Sequence, residues 1–229
     1  MVATICFDLD GTLVDPLLGV KNCVARVCRE MALPCPEEAL IRDWIGFGMR
    51  ESLGKIPGLE APAKLEEALD RYLDAYREDG VFEHEIYPGI YQLLHRLKRQ
   101  GHRLYIVSSK PGLFARRITY QFDLNLIFDD IFGAEMKGNW QPKTDVMERL
   151  RLQGTIAPGG YMIGDRADDL RAAKDHGLHG IGVTYGYGSL EELESVGADK
   201  IVNSVEELGT YLAECLPEPE IFDAFSRAE

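Results

Sequence analysis

None of the five cysteines (Cys6, Cys23, Cys28, Cys35 and Cys215) stands in a C-x-x-C pair, and their number is odd. A disulfide framework needs partners and a cysteine zinc site needs ligands at short spacing, so neither is expected to organise this chain. The histidines His84, His95, His102, His176 and His179 lack metal-ligand spacing too. Reduced thiols fit a cytoplasmic protein. No apolar run approaches the roughly 20 residues that a membrane-spanning helix needs. The opening residues Met1-Val2-Ala3-Thr4-Ile5 show no basic stretch of the kind that starts a secretory signal. A cytoplasmic location without a membrane partner is therefore expected. Positive charge is in deficit: 25 Lys and Arg stand against 38 Asp and Glu, for a net charge of −13. That excess of carboxylate repels nucleic-acid backbones and anionic membranes, but leaves room for a local basic pocket holding a small anion. Internal repeats and low-complexity tracts are absent as well.

What is present reads as a protein able to bury a core, with 45% hydrophobic residues. Its 229 residues fit one large domain with an insertion, or two modest ones. Short apolar runs at residues 3–9, 103–108, 161–164, 178–184 and 200–202 have the length and composition of buried parallel strands. Most are followed by a helical pattern. Ile90, Leu93, Leu94 and Leu97 recur at helical spacing between Pro88 and Gly101; Val146, Met147 and Leu150, then Val205, Leu208 and Leu212, mark two more helices. Alternating strands and helices predict an α/β fold, a Rossmann-like parallel sheet with helices on both faces.

Residues 17–83 break the alternation. Val20, Val24, Val27 and Met31 line one helical face, and Leu65, Leu69, Tyr72, Leu73 and Tyr76 another, with Pro34, Pro36, Pro57, Gly58 and Pro62 as punctuation. This predicts an all-helical lid inserted after the first strand. The core would comprise residues 1–15 and 85–229, and the insertion residues 16–84. The tail after Leu216 reads as a peripheral extension.

The strongest chemical signal is Phe7-Asp8-Leu9-Asp10-Gly11-Thr12. An apolar strand that ends in two acids brings them to the carboxyl edge of the sheet, where open α/β folds bind ligands. Residues two apart on an extended strand share a face, so Asp8 and Asp10 are placed to serve one pocket. Gly11 then lets the chain turn and present backbone N–H groups to an anion. Val107-Ser108-Ser109-Lys110 brings a hydroxyl and further N–H donors to the same edge. Lys143 opens a helix, where a cation is unfavourable unless an anion accompanies it. Met162-Ile163-Gly164-Asp165 ends another strand in an acid, and Asp169 follows one helical turn later. Several acids near one point repel without a cation, and their hard oxygens suit magnesium better than zinc.

In their order, Asp8-x-Asp10-Gly-Thr, Ser108, Lys143 and Gly164-Asp165-x-x-x-Asp169 resemble the four motifs of the haloacid dehalogenase superfamily. The resemblance spans essentially the whole chain. The helical insertion sits where one branch of that family carries an α-helical cap, and Tyr87-Pro88-Gly89 matches the return to the core. The pattern is most similar to phosphoglycolate phosphatase-like members. Met162-Ile163-Gly164-Asp165-Arg166 and Tyr185-Gly186-Tyr187-Gly188-Ser189 also resemble a neighbouring group of nucleotide 5′-phosphatases.

The resemblance implies a magnesium-dependent phosphatase acting on a small phosphorylated metabolite. It gives Asp8 the role of nucleophile and Asp10 that of acid and base, with magnesium on Asp8, Asp10 and Asp165. Ser108, Ser109 and Lys143 would hold the phosphoryl oxygens, and Asp169 would orient Lys143 or a water. Dehalogenases generally lack the second acid, so Asp10 favours phosphoryl transfer. Within Trp44-Ile45-Gly46-Phe47-Gly48-Met49-Arg50, Phe47 and Arg50 are candidate substrate contacts from the cap: an aromatic to close over an organic group, and a cation for a carboxylate or phosphate. Tyr72 and Tyr76 are read as packing residues. A phosphomutase uses the same motifs and is the alternative outside hydrolysis. A phosphorylatable receiver domain fits less well, because its nucleophile ends a later strand.

Overall fold

The structure is a computed structural model that describes residues 2–135 and 142–216; the tail expected to be peripheral lies outside them. Six strands form one parallel sheet: β1 (Thr4–Phe7), β4 (Arg103–Pro111), β5 (Asp130–Ala134), β6 (Tyr161–Gly164), β7 (His179–Val183) and β8 (Lys200–Val202), in the order β5-β4-β1-β6-β7-β8. From β1 the chain builds outward through β4 to β5, then returns to the far side of β1 and builds β6, β7 and β8. The connection therefore reverses around β1, and that strand's carboxyl end lies at the switch point where open α/β sheets bind ligands.

Alternation along the strands sorts the helices into two layers. Ile5, Phe7, Leu104, Ile106 and Ile163 face a cluster that holds Ile90, Leu93 and Leu94 of α5 (Ile90–Arg99), Phe114 and Ile118 of α6 (Gly112–Gln121), and Leu208 and Leu212 of α10 (Val205–Cys215). Cys6, Tyr105, Val107 and Met162 face the opposite side. There they meet Val146, Met147 and Leu150 of α7 (Lys143–Leu152), and Ala172 and Ala173 of α8 (Ala167–Asp175). Both faces are covered, which explains why these strands read as continuous apolar runs and not as alternating ones. The short α9 (Leu190–Ser195) precedes β8, with Ser189 accepting from the Glu192 N–H as its N-cap.

Between β1 and β4 lies the helical insertion: α1 (Leu17–Glu30), α2 (Glu38–Trp44), α3 (Met49–Leu53), α4 (Pro62–Glu78) and a 3-10 turn at Gly80–Phe82. Its entry and exit are tied together by an antiparallel ribbon, with β2 (Val14–Asp15) paired to β3 (Glu85–Ile86). Val20, Val24 and Val27 of α1 are buried, as their spacing predicts, along with Cys23 and Cys28. On α4 the fully packed stripe is Ala68, Tyr72, Ala75 and Tyr76, while Leu65, Leu69 and Leu73 are only partly covered. The leucines mark the face, and two small alanines complete its buried stripe.

Two elements are not foreshadowed by the sequence reading. β5 begins with Asp130 and contains Gly133, so it lacks a pure apolar run; it sits at the sheet edge, where one side needs no partner. The β2–β3 ribbon is too short to leave a pattern. β1 is also shorter than the expected residues 3–9, and β4 runs past Ser108 to Pro111 through an irregular register after Val107. We expect Ile106→Ala, in the fully buried centre of the sheet, to lower unfolding free energy by about 2–5 kcal/mol. Leu126→Ala, at a side chain 78% exposed, should change it by less than about 0.5 kcal/mol in the same urea titration.

Candidate active site

Past Phe7 the chain leaves the sheet but keeps one ladder bond, with the Asp8 N–H donating to the Ile163 carbonyl at 2.8 Å. A tight loop follows, in which the N–H groups of Leu13 and Val14 donate to the Leu9 carbonyl and that of Gly11 donates to Val14. Gly11 has φ +81°, and a Cβ there would lie 2.2 Å from Oδ2 of Asp165. Only glycine lets this loop close against the acid that ends β6. Gly164 is constrained in the same way from the other side, since a Cβ would lie 2.1 Å from the Asp169 carboxylate. The acids of β1 and β6 thus converge because two missing side chains permit it.

Asp8, Asp165 and Asp169 are buried, and each offers a carboxylate oxygen within 4.8 Å of the others. Asp165 accepts from the Tyr187 N–H at 2.8 Å and from the Thr12 hydroxyl at 3.4 Å. Asp169 is differently engaged: one oxygen accepts from the Arg166 N–H at 2.9 Å, and the other makes a close contact with Nζ of Lys143. Lys143 opens α7, is 2% exposed, and also pairs with Asp8 Oδ1 at 2.8 Å. Burial works to lower its pKa, but Asp169 and Asp8 outweigh that and hold it above the ordinary lysine range. Burial, then Asp169 and Asp8, push Asp165 well above the usual carboxylate range. Three buried carboxylates against one ammonium leave negative charge uncompensated, and an all-oxygen donor set of this kind fits a hard divalent cation such as magnesium.

Asp10 lies on the same wall. Its Oδ2 pairs with Nζ of Lys110 at 2.7 Å, while its Oδ1 is buried without a hydrogen-bond partner. Burial raises its pKa, and Lys110 opposes part of that. Lys110 also donates to the hydroxyl of Tyr76 on α4, which is 3.0 Å from Nε2 of His84. Ser108 is buried, with its hydroxyl accepting from the Lys110 N–H at 3.2 Å.

These groups line a cavity of about 370 Å³ between the sheet edge and the insertion. Asp8, Asp10, Ser108, Ser109, Lys143 and Asp169 form its floor, while Trp44, Phe47, Met49, Leu69, Tyr72, Leu73 and Tyr76 supply an apolar wall. Asp165 sits behind Gly11, outside that lining. Phe47 is half-exposed, and the guanidinium of Arg166 lies 4.2 Å over its ring. Arg50 lines the cavity in close contact with Glu66. Tyr72 and Tyr76, read from sequence as packing residues, are both buried and part of the cavity wall, their rings stacked at 5.7 Å.

Lys110, Tyr76 and Arg166 are not among the site residues to which the sequence points. Tyr76 and Arg166 touch the site across the boundary between insertion and core, Arg166 donating to the Asp43 carbonyl at 3.1 Å and to Glu192 at 3.0 Å. No local spacing signals such contacts, although the cation beside Asp165 was a visible hint.

An open parallel sheet with a buried acid–lysine cluster at the carboxyl ends of its central strands is the framework of an α/β enzyme. The chain belongs to the haloacid dehalogenase-like hydrolase family, whose model matches residues 5–183, and within it is a phosphatase. It is 36% identical over 192 residues to a 5′-nucleotidase of Pseudomonas aeruginosa, covering 83% of this chain and 86% of that one. It is 29% identical to a phosphoglycolate phosphatase of Shigella dysenteriae, over 89% of this chain and 90% of that one. The crystal structure of a predicted phosphatase from Clostridium acetobutylicum superposes with a TM-score of 0.84 at 34% identity, covering 93% of this chain and all of that one. Among the described residues no helix is long and apolar enough to cross a membrane.

Burial, with the charge of Lys110 adding to it, pushes the His84 imidazole down to about 2. An unfolded chain would protonate it near 6.5, so between these values the unfolded state binds the extra proton. The contribution of burying a neutral His84 is therefore complete above pH 6.5 and is lost as pH falls through that window. In urea titrations across it, His84→Gln should lose stability with falling pH less steeply than the wild type, by up to about 1.4 kcal/mol per pH unit. Equal slopes would contradict this account.

Proposed function

We propose that this phosphatase is magnesium-dependent and hydrolyses small phosphate monoesters through an aspartyl-phosphate on Asp8. The observation that carries the reading is the pairing of two unlike acids on one cavity floor: Asp8 against Lys143, and Asp10 with one oxygen held and the other unengaged. Asp8 attacks phosphorus in line, forming the acyl-phosphate bond as the bond to the leaving oxygen breaks. Asp10 gives its proton to that oxygen. It then takes a proton from the water that attacks the acyl-phosphate, releasing inorganic phosphate and restoring Asp8. Ser108, Ser109 and Lys143 hold phosphoryl oxygens, and Asp169 keeps Lys143 oriented through their contact. Magnesium, held by the carboxylates of Asp8 and Asp165 and the backbone carbonyl of Asp10, would supply the positive charge that lets a phosphate dianion approach these acids. Residues 16–84 act as the cap over this floor, and the enzyme works in the cytoplasm.

The cap wall also bears on the substrate. Phosphoglycolate carries a second anion, which needs a cation of its own. Among the described residues, each cation lining the cavity already faces carboxylate: Lys110 meets Asp10, Lys143 meets Asp8 and Asp169, Arg166 meets Glu192, and Arg50 meets Glu66. Glu66 and Glu135 line the cavity as well. An apolar, aromatic wall beside paired charges suits a neutral organic group, which supports a nucleoside 5′-monophosphate over phosphoglycolate.

Phosphate release should be measured from nucleoside 5′-monophosphates, phosphoglycolate and sugar phosphates, with magnesium and with a chelator. We expect magnesium-dependent release, fastest from the nucleotides, and loss of at least ~10³-fold in Asp8→Asn. Asp10→Asn should cost about 10²–10⁴-fold. Preference for phosphoglycolate would overturn the substrate assignment, and full turnover by Asp8→Asn would overturn the covalent scheme.

A further inference from the structure

The ion pair between Lys110 and Asp10 has two features that a surface pair lacks. Both side chains are nearly buried, at 10% and 14% exposure. The ammonium also reaches beyond Asp10 to the cap, where it contacts the Tyr76 hydroxyl and sits 4.7 Å from the Tyr76 ring centroid. A lysine ammonium has donors only, so the Tyr76 oxygen must accept from it. The Tyr76 O–H is then left to donate to Nε2 of His84, 3.0 Å away. Tyr76 is itself fixed, its ring standing edge-on to Phe114 of α6 at 5.1 Å and stacked on Tyr72. A continuous set of polar contacts therefore runs from His84 and α4 of the insertion, through Lys110 at the end of β4, to Asp10 beyond β1.

At its far end Asp10, which lines the cavity, presents two unequal oxygens: Oδ2 is held by Lys110, and Oδ1 is buried with no hydrogen-bond partner. We propose that Lys110 is the positioning residue that fixes Asp10 with Oδ1 toward the leaving group, and that Tyr76 makes this positioning depend on the cap being seated. The inference rests on the reading of Asp10 as the acid and base of the phosphatase. Lys110 does not touch the reacting atoms in this scheme. It removes one of the two orientations of the Asp10 carboxyl, so that the proton leaves from, and returns to, a defined oxygen. Tyr76 in turn removes the freedom of the four-carbon lysine stem, which would otherwise swing into the cavity. A substrate that displaced the cap, and Tyr76 with it, would release Lys110 and lose the aligned acid; one that fits beneath the cap would keep both.

Protonation matters most when the leaving oxygen is strongly basic, which gives the proposal its test. Turnover numbers of the wild type, Lys110→Met and Tyr76→Phe should be compared on a nucleoside 5′-monophosphate, an alkyl ester, and on p-nitrophenyl phosphate, whose leaving group needs little help. We expect Lys110→Met to slow the alkyl ester by about 10²-fold and the aryl ester by a clearly smaller factor. Tyr76→Phe should shift the same ratio in the same direction, by several-fold. Equal slowing of both esters in Lys110→Met would make Lys110 a phosphate contact or a purely structural residue and would overturn the proposal. An unchanged ratio in Tyr76→Phe would overturn the dependence on the cap, and it decides the matter alone if Lys110→Met fails to fold. A wild type that releases phosphate from neither ester would instead refute the phosphatase chemistry on which the inference stands.

Discussion

A buried ammonium between two carboxylates holds the centre of this molecule together. Lys143 carries a charge on the cavity floor with only 2% of its surface exposed, and Asp8 and Asp169 make that tolerable. Removing one partner from such a buried set costs about 3–5 kcal/mol, because it strands a charge. Three separate segments are therefore obliged to meet: the end of β1, the first turn of α7 and the first turn of α8. Those two turns are cross-linked again by the Lys143 N–H, which donates to Asp168 at 2.9 Å. The segments arrive from distant parts of the sequence, yet the reversal of the chain around β1 makes them neighbours at one sheet edge.

The constraint propagates outward through backbone contact. With Asp8 pinned by Lys143, the loop after it has to fold back on Leu9, and Gly11 has to lie against Asp165. Asp165 in turn carries the segment around Tyr187, whose hydroxyl makes a close contact with Asp15 at the start of the insertion. The buried apolar residues of α1 and α4 belong to the same continuous cluster as those of β1, α5 and α6. Apolar packing and the polar network thus act on the insertion together. The first holds it down without fixing direction, and the second specifies where its wall stands relative to Asp10.

The same architecture separates two kinds of charge in the cavity. Lys143 and the two acids that hold it, Asp8 and Asp169, are deep and belong to the core alone. Lys110, Arg166 and Arg50 sit where insertion and core meet, each with a carboxylate beside it. Paired cations are poor receptors for a further anion but good rigid edges for an apolar surface, so charge orders this wall while Phe47, Met49 and Tyr72 give it chemical character.

Much of this is legible in the sequence. Asp8, Asp10, Ser108, Lys143, Asp165 and Asp169 stand out because each follows or closes an apolar run or opens a helix, and short-range pattern reports those places well. The alternation of strands and helices, and its interruption over residues 17–83, follow from periodicity alone. β5 stayed hidden, since an edge strand with Asp130 and Gly133 has no need of an apolar run. Tyr76 and Lys110 are 34 residues apart, and nothing local to either marks their meeting. Local pattern reports five of the six sheet strands, the inserted helices and the inventory of acids and cations, because burial and backbone geometry act within a few residues. Which oxygen of Asp10 is held, which cations are already paired and which aromatics line the cavity emerge only when the chain has folded. Those properties arise where two layers touch, and a contact between distant segments is set by packing, for which neither segment carries a signal of its own.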